Sequence, residues 1–197
     1  KLRKMNNPTV QRLVKKMDTP QAVGATANQV QRPSVPLLLR VPAPLLADEG
    51  HRLTATMQDV LDGFQLSLGL NLPKIHLFGH DDVAEDKGRW ELLAFEVPIA
   101  AGALPQDPAL NLGEPVRDAI RRNAGLFIGA QDTTNMLTRA SAEMPDVVKE
   151  VARALPLQRV ADVFRRLVGE GVSIRNLRAI LEALADIAQR EKDVHLI

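Results

Sequence analysis

Arginine is the densest chemistry in this chain: Arg153, Arg159, Arg165, Arg166, Arg175 and Arg178 fall within 26 residues. A guanidinium stays charged at any working pH, and its planar fork of donors grips a carboxylate with two parallel hydrogen bonds. Such a cluster suits docking against another protein. A solvated helical face would use the same residues, because Glu150, Asp162, Glu170, Glu182 and Asp186 are interspersed with them and can form ordinary surface ion pairs.

Catalytic and cofactor chemistry has little to stand on. The four histidines, His51, His76, His80 and His195, never pair at helical metal-clip spacing. His80, Asp81, Asp82, Glu85 and Asp86 could gather a divalent ion, but a solvated hairpin loop is the plainer reading. His76, on a short strand, reads as edge-exposed. There is no cysteine, hence no disulfide or zinc–thiolate site. No phosphate-binding loop, dinucleotide glycine fingerprint or serine nucleophile elbow is present. Ser173 reads as the N-cap of a helix, accepting from the Asn176 N–H. No enzyme activity, metal or cofactor is expected.

The elements that must carry the arginines follow from apolar periodicity. Val35–Val41 predicts a strand, ended by Pro42 and Pro44. Leu53, Met57, Val60, Leu61, Phe64 and Leu68 recur at three and four, predicting a helix stopped by Gly69 and Pro73. Lys74–Phe78 and Trp90–Ile99 predict two strands paired antiparallel across a polar loop, with Leu93, Phe95, Val97 and Ile99 on one face. Beyond a Pro-rich break at 105–113 the pattern is helical. Val116, Ile120, Ala124 and Phe127 follow Pro115, a second helix covers 133–142, and a third begins at Pro145 with Val147, Val151 and Leu155. In 157–168, Val160, Val163, Phe164, Leu167 and Val168 form the apolar stripe, leaving Arg159, Asp162, Arg165 and Arg166 on the wet side. After Gly169 and Gly171, Ile174, Leu177, Leu181, Leu184 and Ala188 form a seam widened by Ile180 and Ile187. Helices of this kind bury their stripes against one another. The fold class expected is α+β: a small mixed α/β subdomain over 35–110, then a helical bundle subdomain over 111–197.

Composition sets the outer bounds. The chain is 45% hydrophobic and 25% charged, enough to bury a core and stay dissolved. Aromatics are 3%, with no tyrosine, which disfavours stacking platforms for sugars or single-stranded nucleic acid. Six basic residues and no acid occupy 1–17, whereas the rest is net acidic. Residues 1–34 therefore read as a basic linker, suited to an anionic surface. No apolar run approaches membrane-spanning length. The chain starts at Lys1 and reads as part of something longer.

One resemblance is specific. Phe127–Thr133 (FIGAQDT), Leu155–Arg159 (LPLQR), Val172–Arg178 (VSIRNLR) and Arg190–Asp193 (REKD) closely resemble the large export-gate protein of bacterial type III secretion systems, flagellar and virulence alike. Glu91–Leu104 resembles that family's first cytoplasmic subdomain more loosely. The resemblance spans about 35–194. It implies an N-terminal membrane part, with the basic linker beneath it, and a cytoplasmic part forming a ring, typically of nine copies. The implied partners are export substrates, their chaperones, gatekeeper proteins and other export-apparatus components, with no nucleic acid. Two departures stand out. A further α/β subdomain normally lies where only Pro105–Gly113 stands here, and the family continues past Asp193 into a fourth subdomain.

For subunit or partner contacts the resemblance and the arginine density together point to the polar edge of 157–193: Arg159, Arg165, Arg166, Arg175, Arg178, Glu191, Lys192 and Asp193. A second reading makes 157–189 a DNA-binding helix-turn-helix, with Arg175 and Arg178 early in the second helix. Net acidity outside the first 17 residues, and Glu182 and Asp186 on that helix, weigh against it.

Overall fold

The computed structural model describes residues 34–80 and 88–194. The basic linker up to Pro33, the acidic run 81–86 and His195 lie outside the described residues. Ser34 onward forms one compact unit.

Strand β1 (Leu37–Pro42) buries Leu37, Leu39 and Val41 at alternate positions, as a period of two demands. Helix α1 (Ala43–Leu68) follows without a break. It begins ten residues before the expected start at Leu53. Pro44, a strand terminator by sequence, sits in the first helical turn, where no N–H is needed. The predicted stripe of Leu53, Met57, Val60, Leu61, Phe64 and Leu68 is buried throughout. Burial of each large apolar side chain stabilises the fold by about 1.5–3 kcal/mol.

Strands β2 (His76–His80), β3 (Arg89–Ala94) and β4 (Val97–Ala103) complete a four-stranded sheet in the order β2-β1-β3-β4. The antiparallel pairing expected between the strands at 74–78 and 90–99 does not form. β1 lies between them, parallel to β2 and antiparallel to β3. Helix α1 supplies the crossover that a parallel pair requires. Trp90–Ile99 is likewise two strands, because the chain turns back at Phe95 and Glu96, both at positive φ (50° and 67°). Backbone of that hand matches the strand twist of a tight hairpin. The turn ends the alternation, so Val97 is exposed and does not share a buried face with Leu93.

The bridge from sheet to helices is compact. Helix α2 (Pro108–Asn111) and helix α3 (Gly113–Arg122) follow one another, with the Asn111 side-chain amide donating to the Gln106 carbonyl at 2.6 Å. Thr56 Oγ1 on α1 donates to the Ala109 carbonyl at 2.6 Å. Gly113 makes this approach possible, since a Cβ there would stand 2.9 Å from Thr56 Cγ2.

After a 3-10 turn (Ala124–Phe127) come α4 (Ala130–Glu143), α5 (Pro145–Ala154), α6 (Leu157–Gly169) and α7 (Leu177–Val194). α4 packs on α5 and α6, α5 on α7, and the 3-10 turn on α6. The core is continuous from β1 to α7 and centres on Phe164, Leu39, Leu53, Ile120 and Leu181. The α7 seam holds Leu181, Leu184 and Ala188 as predicted, but Ala185 broadens it while Ile187 is exposed. The first turn of this helix is capped by Asn176, whose Oδ1 accepts from the Ala179 N–H at 3.2 Å. Ser173, the expected cap, lies one turn upstream and accepts from the Arg175 N–H at 3.3 Å.

Candidate protein interface

The FIGAQDT segment is a helix start. Asp132 accepts from the Gly129 N–H at 2.9 Å, and the fully buried Thr133 returns its hydroxyl to the Gly129 carbonyl at 2.9 Å. Both bonds hold the chain at the entry to α4, leaving the Ile128 carbonyl facing α6. Arg165 fills that place. Its Nε donates to Ile128 O at 2.7 Å, while Nη1 reaches Asp162 at 2.6 Å. Its side chain is 42% exposed, against 82% for its neighbour Arg166. One arginine ties α6 to the 3-10 turn, and the next faces solvent.

Arg175 is also committed within the chain. Helix α1 leaves its last carbonyls unpaired, as every helix does, and the segment after α6 satisfies them. Ile174 N–H donates to Leu68 O at 2.8 Å, Arg175 Nη1 donates to Leu66 O at 2.8 Å, and Gly69 N–H donates to Gln65 O at 3.1 Å. A cation at a helix C-terminus also meets the negative end of the helix dipole. Gly69 is needed on two counts: its φ is +74°, and a Cβ there would stand 2.6 Å from Arg175 Cγ.

The other arginines face outward. Arg159 is exposed on α6. Arg166 pairs with Glu170 at 2.9 Å and Arg178 with Glu182 at 3.1 Å, each one helical turn away. The hydrogen bond to Glu170, then its charge, raises the Arg166 pKa above its ordinary value. Glu191, Lys192 and Asp193 lie on the last turns of α7, about 20 Å of helix axis beyond Arg178. Of the polar edge read from the sequence, Arg165 and Arg175 are thus bonded within the chain.

Arg175 and Arg178 meet at a groove of about 870 Å³ between the C-terminal end of α1, α4 and the start of α7. Met136, Ala140, Met144 and Ile174 give it an apolar lining, and Leu66 beside them is 69% exposed. Arg139, Arg175 and Arg178 stand around it with Asp62 and Glu143. Sequence reasoning missed Arg139 and the groove itself. Arg139 is one basic residue on a polar helix face, so nothing local marks it. Leu66 left a signal, being a large apolar residue off the α1 stripe.

The helix-turn-helix reading finds no support in how its arginines are engaged. Arg175 is bonded to α1, and the exposed side of α7 alternates Arg178 with Glu182 and Asp186 with Arg190. Among the described residues no group of three or more histidines, cysteines and carboxylates is placed to hold a metal ion. No helix there is long and apolar enough to cross a membrane.

Comparison with known proteins gives these surfaces a context. Residues 100–197 match the FHIPEP family. The chain is 40% identical over 145 residues to the probable translocation protein y4yR of Sinorhizobium fredii, an alignment covering 71% of this chain and 20% of that protein. It spans about a fifth of the length of the curated relatives it matches. Its fold superposes on that of the Shigella flexneri MxiA protein with a TM-score of 0.68 at 27% identity, over 82% of this chain and 60% of that one. It also superposes on the nonameric EscV cytosolic domain from the type III secretion system, with a TM-score of 0.63 over 81% and 60% of the two chains. At 21% identity that second likeness is one of fold alone. The resemblance read from the arginine-rich segments therefore holds, and the chain belongs to the FHIPEP family, the export-gate proteins of type III secretion.

Proposed function

We propose that this chain is a ring-building part of a type III export gate, on the cytoplasmic side of the bacterial inner membrane. In that place it receives export substrates, chaperones and gatekeepers and passes substrates to the channel, with other export-apparatus components alongside. It acts as a scaffold, and no bond is made or broken on it. The observation that carries this reading is the division of its arginines. Arg165 and Arg175 hold the fold together, while Arg159, Arg166 and Arg178 project from the solvent side of α6 and α7. Docking through these arginines is polar, which favours fast, reversible and salt-sensitive contacts. The nonameric form of EscV supports a ring. A ring needs a heterologous interface, in which one face of each copy meets a different face of the next.

The test is electron microscopy and sedimentation of the purified chain across salt concentration. Rings or their arcs are expected at low salt. The paired change Arg159→Glu and Arg166→Glu should shift them toward monomer without altering helical content. A chain that stays monomeric at every concentration and ionic strength would overturn the ring reading.

A further inference from the structure

Strand β4 closes one edge of the sheet, and among the described residues nothing bonds to its outer side. One contact fixes the phase of its bonding: the Leu104 N–H donates to the Gly88 carbonyl at 2.6 Å, toward β3. Residue pairs of an antiparallel ladder alternate between bonded and unbonded. Gly102, opposite Trp90, therefore bonds inward. Ala101, opposite Glu91, and Ala103, opposite Arg89, turn their N–H and C=O outward. Both alanines are exposed. Their backbone groups stand at the alternate spacing that a further strand bonds.

Edge strands are ordinarily guarded by charge, proline or a bulge. Pro98 and a bulge at Ile99, which opposes no residue of β3, guard the first half of β4. Ala100–Ala103 has no such guard. It is small and uncharged, and no charged residue follows before Asp107. Small side chains let another backbone approach closely. At the start of the strand Phe95 and Val97, both exposed, add an apolar contact.

Resting on the client-receiving role proposed above, we infer that the β4 edge takes up an extended, uncharged segment of a client polypeptide as a fifth strand. The bonds are to main chain, so the site tolerates many client sequences and selects for small and apolar side chains. A second copy is the poorer occupant. The seven residues of β4 extend about 24 Å and present a strip about 10 Å deep, roughly 240 Å². A stable interface needs about 800 Å² on each partner. The bulge also bends the strand, and a flexible chain follows that bend where a rigid copy of the same edge does not. A contact of this size releases readily, as the handing on of clients requires.

The only tryptophan reports on this edge. A Cβ on Gly102 would lie 3.1 Å from Trp90 Nε1, so the indole lies against the middle of β4. The probe is an uncharged heptapeptide alternating valine and serine, N-methylated at every second amide so that it has one bonding edge and cannot stack into sheets. Titrated into the full chain, it should change Trp90 fluorescence saturably, and high salt should not abolish the change. The same peptide methylated at every amide keeps its side chains and loses its donors, and should bind about tenfold more weakly or worse. Ala103→Pro removes an outward N–H, a change an edge strand accepts. It should weaken binding by a similar factor with circular dichroism unchanged. Lactalbumin kept unfolded by reduction and carboxymethylation should displace the peptide, and native lactalbumin should not. No binding of the one-edge peptide, equal binding of the fully methylated one, indifference to Ala103→Pro, or no displacement by the unfolded chain each overturns the inference. Loss of self-association in Ala103→Pro would give the edge to a second copy and overturn it too. Arg159→Glu with Arg166→Glu should bind the peptide as wild type does. Rings without peptide binding leave the ring reading standing and end this one, and peptide binding without rings does the reverse.

Discussion

Arg165 and Arg166 are neighbours in sequence and opposites in the structure. The first reaches across to Ile128 O and holds α6 to the start of α4. The second leans on Glu170, one turn along its own helix. The same division recurs around α7, where Arg175 closes the end of α1 and Arg178 pairs with Glu182. Fold-holding arginines donate to backbone carbonyls far away in the chain, whereas outward ones pair locally with carboxylates. A local pair can be exchanged for a partner's carboxylate with little loss, and a long-range carbonyl bond cannot.

The sharpest way to break this division is at the contact Arg175 makes. Gly69→Ala puts a Cβ where φ is +74° and where Arg175 Cγ and its backbone stand at 2.6–3.2 Å. The left-handed backbone alone costs about 1–2 kcal/mol in a residue with a side chain, and the crowding adds to it. A loss of about 2–3 kcal/mol is expected by urea denaturation. Arg175→Ala at the same contact removes one hydrogen bond to an exposed helix end and should cost less, about 1 kcal/mol. If Gly69→Ala proves neutral, the segment after α6 is not fixed to α1 as described.

Arg165→Ala comes next. It strips a charged donor from the Ile128 carbonyl and a pair from Asp162. Charged hydrogen bonds contribute about 1.5–3 kcal/mol when shielded, and the 42% exposure of this side chain lowers the expected loss to about 1–2 kcal/mol. Arg165→Lys should recover little of it, since an ammonium lacks the fork that bonds a carbonyl and a carboxylate at once. Full recovery by lysine would make the contact one of charge alone.

Much of the fold was legible because burial has a period. The α1 stripe, the alternate residues of β1, and Val160, Phe164 and Val168 of α6 are buried where spacing puts them. The failures have local causes. Pro44 permits both a strand end and a helix start, so spacing could not place the beginning of α1. Phe95 and Glu96 form a hairpin turn without glycine or asparagine, which hid the division of β3 from β4. The place of β2 beside β1 depends on a crossover helix, a non-local choice that alternation does not encode. For the candidate interface, arginine density drew attention to residues 153–178. Which arginines turn inward depends on carbonyls 37 and 109 residues away in sequence, beyond the reach of any local pattern.

The smallest effect on stability should accompany a large one on assembly. Arg166 and Arg178 are 82% and 71% exposed, and their pairs with Glu170 and Glu182 follow helical spacing. Ion pairs of this kind contribute little to folding, because water and salt screen them and ordering two long side chains offsets the attraction. Arg166→Ala and Arg178→Ala together should leave the thermal midpoint within error of wild type. Self-association should nevertheless weaken, and the remaining association should be less sensitive to salt, since fewer charges are then screened. A variant that melts early would place these side chains among the fold-holding arginines, and the inward and outward classes would merge.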